Sequence, residues 1–375
     1  MSLNIFRILR SFLDDDRKKV IQIQNLALIF CLAMFLITAV ALPSPSIWIR
    51  KKQAYADGLS QEQISASLGT RNADLLIKMT PPVVTNETLQ QGQNPVIEFR
   101  LFDSNTNKSF SHVTYLITVE KDGKQLLLDY FHAHDGDLRM VIKPSNNVSG
   151  TSKVNINGPQ IPYIGAYIGS VDSPVILTGP LFSSSGLYHF IVRVVTVDSD
   201  EGVLPDDQQH IYDSWFSVGN TKYQQIDING KQVPIKIISY YDKLSDFKFD
   251  NKSLQMQFDM PFNWNVSRIN NTSIFVHQEI SVPKPNIFTA NKSLSGTVNG
   301  IDISKDIALD SSLPDKDIIH VMLPKNAIVQ LADQVNKNGQ TSGGSMKFAL
   351  QPNMNGTVRG GMSPGSMGNM SMSSG

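Results

Sequence analysis

The sequence predicts a mainly β chain: one N-terminal transmembrane helix, then two β-sandwich domains and a flexible tail. Three observations carry this. A run of 17 residues at 26–42 has Thr38 as its only clearly polar member. Beyond it, short stretches rich in Val, Ile, Phe and Tyr alternate with clusters of Pro, Gly, Asn and Asp, the pattern of strands and turns. From Asn336 onward Gly, Ser, Asn and Met take over, as in a flexible segment.

Composition narrows the classes. The 375 residues suffice for two ordinary domains beyond an anchor. Lys plus Arg equals Asp plus Glu, at 33 each, so no global field favours nucleic acid or an acidic partner. A 41% hydrophobic and 18% charged composition suits a folded core. The single cysteine, Cys31, lies inside the apolar run. The rest of the chain therefore carries no disulfide, thiolate nucleophile, zinc–cysteine site or iron–sulfur cluster, and no type 1 copper centre, which needs a Cys ligand.

Residues 1–25 read as a short cytoplasmic tail. Residues 26–49 read as the membrane anchor. As a helix, 26–42 spans roughly 25 Å, just short of a bilayer core. Pro43 and Pro45 stop it, and Trp48 sits where an interfacial aromatic belongs. Arg7, Arg10, Arg17, Lys18 and Lys19 precede the run, and Arg50, Lys51 and Lys52 follow it, a bias that favours the N-terminus inside. A cleaved signal peptide is the alternative, because Ala39-Val40-Ala41 and Ala54-Tyr55-Ala56 both have the form that signal peptidases accept. Either way the bulk of the chain is exported.

Glycosylation signals agree. The N-x-S/T triplet occurs at Asn86, Asn107, Asn147, Asn251, Asn265, Asn270, Asn271, Asn291, Asn355 and Asn369. Random placement gives roughly four such triplets. All ten lie on the C-terminal side of the apolar run, and glycans need a translocated chain.

Residues 50–72 form a linker, with a brief helix expected from the capping-box pair Ser60 and Gln63 to Gly69. The first β domain spans 73–219, with strands expected at 75–78, 96–103, 113–120, 125–133, 138–143, 188–197 and 214–218. In the sixth, Tyr188, Phe190, Val192 and Val194 share one face. The second domain spans 222–335, with strands at 233–240, 253–259, 273–280, 301–307 and 318–323 and a closing helix at 327–335. Leu254, Met256 and Phe258 alternate with Gln255, Gln257 and Asp259, which marks a strand with one buried face. Residues 336–375 are the flexible Gly/Ser/Met-rich tail.

Two local patterns carry resemblances. Gly186-Leu187-Tyr188, ahead of a long strand, resembles the tyrosine corner of immunoglobulin-like sandwich domains, which implies that fold and no particular function. Asp246-Phe247-Lys248-Phe249-Asp250, followed by the alternating strand, resembles a step in β modules of archaeal surface proteins over about 40 residues. With its sequons and cysteine-free ectodomain, the chain is similar to membrane-anchored extracytoplasmic surface proteins of archaea of the ammonia-oxidising type. That family has no assigned reaction, so the resemblance implies place.

Two clusters could carry chemistry. In His132-Ala133-His134-Asp135-Gly136-Asp137, a strand would put His132 and His134 on one face, and two imidazoles with Asp135 and Asp137 nearby suit zinc or copper(II). The same six residues also read as a turn: Asp135-Gly136 is a hairpin signal, and the carboxylates then only shape it. His112 and His189 are candidates for a third ligand, while His210, His277 and His320 have no company in the sequence. The second cluster is Met362, Met367, Met370 and Met372, with Met346 and Met354 upstream. Thioethers suit copper(I), and the segment resembles the Met-rich stretches of periplasmic copper carriers. An adaptable tail that binds no metal is the competing reading.

No nucleophile elbow, metalloprotease helix, P-loop or dinucleotide fingerprint occurs, so the chain is not expected to be an enzyme. The leading expectation is a non-catalytic, membrane-anchored extracytoplasmic binding or structural module that contacts a protein, the cell-wall lattice or a glycan. A copper-binding or copper-delivery accessory is the alternative, with copper the one candidate cofactor, and a metal-dependent hydrolase at the His cluster is a third. Nucleic acid is not an expected partner.

Overall fold

The computed structural model describes residues 60–145, 154–271, 273–286, 288–290, 293–337 and 344–353. The anchor segment, Asn147, Asn291, Asn355, Asn369 and the tail methionines Met354, Met362, Met367, Met370 and Met372 lie outside them. Among the described residues no helix is long and apolar enough to cross a membrane.

Among the described residues the chain is mainly β, in four sheets. The first two are built from β1 (Gln61–Leu68), β2 (Arg71–Thr80), β3 (Val96–Asp103), β4 (Val113–Lys121), β5 (Lys124–Ala133), β6 (Asp137–Pro144), β7 (Asn155–Asn157), β8 (Tyr167–Ile168), β9 (Val175–Gly179), β10 (Gly186–Thr196) and β11 (Ile211–Val218). One sheet has the order β1-β2-β3-β6-β9-β7 and the other β11-β10-β4-β5-β8. They face each other across one core, because alternate residues of each strand point inward. Ile97, Phe99 and Leu101 of β3 meet Tyr115, Ile117 and Val119 of β4 and Tyr188, Phe190 and Val192 of β10, all buried. The Tyr188 hydroxyl donates to the Ser184 carbonyl at 2.8 Å, the backbone return bond that the Gly186-Leu187-Tyr188 step predicts.

The other two sheets are built from β12 (Asn220–Ile228), β13 (Lys231–Ser239), β14 (Ser245–Asp250), β15 (Gln255–Pro261), β16 (Phe275–Pro283), β17 (Leu294–Val298), β18 (Ile301–Asp302), β19 (Ile307–Asp310), β20 (Lys316–Pro324) and β21 (Ser345–Pro352). Their orders are β12-β13-β16-β20-β19 and β14-β15-β21-β17-β18. Among the described residues three helices accompany the strands: α1 (Asn86–Gln90), α2 (Val266–Asn271) and α3 (Lys325–Lys337). The inner face of α3 (Ile328, Leu331, Ala332 and Val335) joins the second core, as the pattern at 327–335 predicts.

Backbone bonds at one crossing point tie the two cores together. Gly219 N donates to Val84 O at 2.8 Å, and Asn86 N donates to Gly219 O at 2.9 Å. A Cβ on Gly219 would stand 2.8 Å from the Ser239 carbonyl, so only glycine fits. Ser217 Oγ lies 2.6 and 2.8 Å from the Tyr240 and Tyr241 carbonyls, and Glu87 of α1 pairs with Lys236 of β13 at 2.7 Å.

Several expectations change. The residues of the expected helix from Ser60 to Gly69 form β1 instead. Gly69, at φ +62°, is part of the tight turn into β2, and Gln63 Nε2 donates to Asp74 Oδ2 at 2.7 Å. The same glycine signal serves a helix end or a hairpin turn, and strand pairing decided it. Ser345–Pro352 is no tail. It lies between β15 and β17, with Met346, Phe348 and Leu350 buried, so Met346 is core rather than a thioether ligand. The strand expected at 301–307 is divided by a 3₁₀ turn at Ser304–Asp306, and β18 and β19 belong to different sheets. Of the described sequons, Asn107, Asn251, Asn265 and Asn270 are exposed, whereas half-buried Asn86 accepts from Thr221 N at 2.7 Å.

Candidate metal centre

The turn after β5 decides the site. His134, Asp135 and Gly136 do not close a hairpin. They carry the chain from the sheet of β5 to the sheet of β6. Gly136, at φ +81°, passes so close to β3's continuation that a Cβ would stand 1.9 Å from the Phe110 carbonyl. His112 N donates to His134 O at 2.9 Å, which brings the start of β4 against this crossing. His112 itself sits at φ +47°, an uncommon conformation for a non-glycine residue.

A third segment closes over both. After β10 the loop at 198–202 folds back, and Asp198 holds it: Asp198 N donates to Ser111 O at 2.7 Å, and its carboxylate accepts from Ser111 and pairs with Arg71. Asp200 thereby reaches the histidines. Its Oδ1 lies 2.7 Å from His112 Nδ1, 3.1 Å from His132 Nε2 and 3.8 Å from His134 Nδ1. His134 Nδ1 lies 3.2 Å from His132 Nε2 and 3.4 Å from His112 Nδ1.

Three ring nitrogens and one carboxylate oxygen thus surround one point. A tetrahedral ion with bonds of 2.0–2.1 Å separates its ligand atoms by about 3.3 Å, and a square-planar one by about 2.9 Å along the sides and 4.1 Å across. Four of the spacings, 3.1–3.8 Å, lie within this range, the Asp200–His112 contact at 2.7 Å is a shorter hydrogen bond, and all four ligand atoms lie within 4.8 Å of one another. The donor set, three imidazoles and a carboxylate, suits zinc or copper(II) and is too nitrogen-rich for calcium or magnesium.

The surroundings favour the ligand forms. His132 is fully buried on the outward face of β5, opposite Thr114 in register. Burial first, then repulsion from His134, pushes its pKa down to about 4, so the ring is neutral at neutral pH. Its Nδ1 lies 2.9 Å from Thr114 Oγ1, to which Thr196 Oγ1 donates at 2.8 Å. In the tautomer that metal binding needs, Nδ1–H donates to Thr114 and Nε2 keeps its lone pair. The hydrogen bond with the His112 ring holds Asp200 below the usual carboxylate range. His112, His134 and Asp200 are partly exposed, which leaves an entry path.

The structure brings together two of the four residues expected in this cluster, with His134 in the turn beyond β5 rather than on the strand. His132 and His134 converge, and His112 supplies the third nitrogen. Asp135 and Asp137 do not join. Asp135 Oδ1 accepts from Asp137 N at 3.2 Å and shapes the turn, while Asp137 faces Ser109 and Arg100. The carboxylate is Asp200, 68 residues beyond His132, and no local spacing signals it. His189 is elsewhere: its ring stacks on Trp215 at 4.2 Å and its Nε2 lies 2.7 Å from Asp213.

His189 and Trp215 line a cleft of about 790 Å³ between the two cores, with Asp242, Trp264 and Arg268 on the other wall. No family model, curated protein or solved structure matches the chain.

Proposed function

We propose that this chain is a non-catalytic extracytoplasmic β module that binds one divalent ion of the zinc or copper(II) type through His112, His132, His134 and Asp200. The convergence of three ring nitrogens and one carboxylate oxygen, all within 4.8 Å of one another and five of the pairs at 2.7–3.8 Å, carries this reading. Four protein ligands complete a tetrahedral shell, whereas a catalytic zinc keeps one position for water. That favours binding over hydrolysis at this centre.

The apolar run at 26–42, the cation bias around it and the ten sequons support attachment to a membrane with the β domains outside. The Tyr188–Ser184 bond supports an immunoglobulin-like first domain. Met362, Met367, Met370 and Met372 support a role in copper handling, because thioethers are soft donors that suit copper(I). The cleft around Trp215 offers a surface for a protein, lattice or glycan partner.

The test is a titration of the chelator-stripped chain with zinc and copper(II). Replacing the two partly exposed ligands, His112→Ala with His134→Ala, is expected to abolish one tight equivalent. Unchanged stoichiometry and affinity in that variant would refute the centre. Removal of residues 361–375 is expected to leave zinc binding intact and to weaken copper(I) binding. Copper(I) binding that survives the truncation removes the tail from the reading.

A further inference from the structure

The histidines without sequence neighbours include a second pair. His277 and Glu279 are two apart on β16, so both point to the outward face of their sheet. Glu279 stands directly opposite His320 of β20, and Met322 stands opposite His277. Strand pairing thus assembles on one face a group drawn from positions 43 residues apart.

His277 Nε2 lies 3.2 Å from His320 Nδ1. Glu279 Oε1 lies 3.8 Å from the first and 3.6 Å from the second. The last two distances exceed hydrogen-bond length, so the carboxylate approaches both imidazoles without bonding to either. The triangle matches one face of a tetrahedron of about 3.3 Å edge, the spacing around a zinc-sized ion. The other carboxylate oxygen is already fixed: Tyr240 OH donates to Oε2 at 2.9 Å. The Tyr240 ring also stacks on His277 at 4.9 Å, and His320 stacks on it at 5.5 Å. His277 is buried and the other two ligands are partly so.

We propose that His277, Glu279 and His320 form a second metal site in the second β domain, for a divalent ion of the zinc type. It differs in kind from the first. Three protein ligands leave the fourth position to water or an outside ligand, so this site can exchange its ion or present it to a partner. Tyr240 is a positioning residue, which fixes the carboxylate and one ring face. The site shares no residue with the His112 centre and stands or falls independently of it.

The full chain, stripped of metal, is titrated with zinc against a competing chromophore and separately with cobalt(II). The parent is expected to bind two equivalents. His320→Ala with Glu279→Gln is expected to bind one, and His112→Ala with His134→Ala is expected to keep one, with the visible absorption of four-coordinate cobalt. Glu279→Gln alone, which preserves shape, is expected to weaken the second equivalent at least ~10-fold, and Tyr240→Phe ~10-fold. A His112/His134 double variant that binds no zinc overturns the proposal. So does a Glu279→Gln variant with parental affinity for both equivalents. Loss of zinc in the His112/His134 variant alone leaves the first centre standing and removes only the second.

Discussion

Thr114→Val tests whether the first centre is organised as described. Thr114 is buried, and its Oγ1 is the partner of His132 Nδ1 at 2.9 Å. Valine keeps the branched shape that suits β4 and removes the acceptor. In the metal-bound form the Nδ1 proton then has no partner inside a fully buried pocket. Leaving a buried donor unsatisfied costs roughly 1–3 kcal/mol. Loss of an outer partner of a metal-bound histidine lowers affinity ~10–100-fold, about 1.4–2.7 kcal/mol, so the two figures agree. Thr196 loses one acceptor and keeps another, since its hydroxyl also reaches His112 O at 3.1 Å, so damage beyond His132 is small. The assay is zinc affinity by chelator competition, with far-UV circular dichroism to confirm folding. A folded Thr114→Val protein that binds zinc as tightly as the parent refutes the argument, because His132 would then not be oriented through Nδ1.

Gly136→Ala places a Cβ 1.9 Å from the Phe110 carbonyl at a positive φ, and should destabilise the first domain by more than ~3 kcal/mol in a denaturant titration. A chain ending at residue 343 lacks β21, so the second domain should fail to fold, whereas one ending at 353 should retain a cooperative transition by near-UV circular dichroism. Asp242 has its pKa raised from 3.8 to about 6, first by burial and then by Asp122, with Lys121 and Lys243 opposing. Its folded form holds the proton more tightly than the unfolded form. The stability this contributes is present below pH 3.8 and is lost as pH rises through about 6. Asp242→Asn, uncharged throughout, should therefore gain on the parent between pH 4 and 7, by at most ~3 kcal/mol, and a pH-independent difference in urea unfolding would exclude this.

Much of the β architecture was legible because period-2 burial writes itself into the chain. The strand at 96–103 emerges with the expected bounds, and Tyr188, Phe190 and Val192 share the core-facing side as their spacing requires. The amphipathic helix at 327–335 is legible for the same reason, extended by one turn's worth of polar ends to Lys325–Lys337. Short or polar strands were not. Gln61–Leu68 offers few apolar residues, and its identity comes from residue-by-residue pairing with β2. Ser345–Pro352 alternates correctly but is set among Gly, Ser and Asn, so composition hid it.

The sites divide along the same line. Sequence alone determined that His132 and His134 stand two apart in the chain and that no cysteine competes for a metal outside Cys31, whereas the structure puts His132 on β5 and His134 in the turn beyond it. It also determined where the apolar run and the sequons stand. Only the tertiary structure decided which carboxylate completes the group. Asp135 and Asp137 are nearest in the chain, yet the crossing between sheets turns them away, and a loop pinned by Asp198 delivers Asp200 instead. His277, Glu279 and His320 likewise meet because β16 and β20 pair in one register. Ligand geometry is a matter of a few ångströms in space, and in a β protein that distance is set by strand pairing and loop closure, which join residues far apart in sequence.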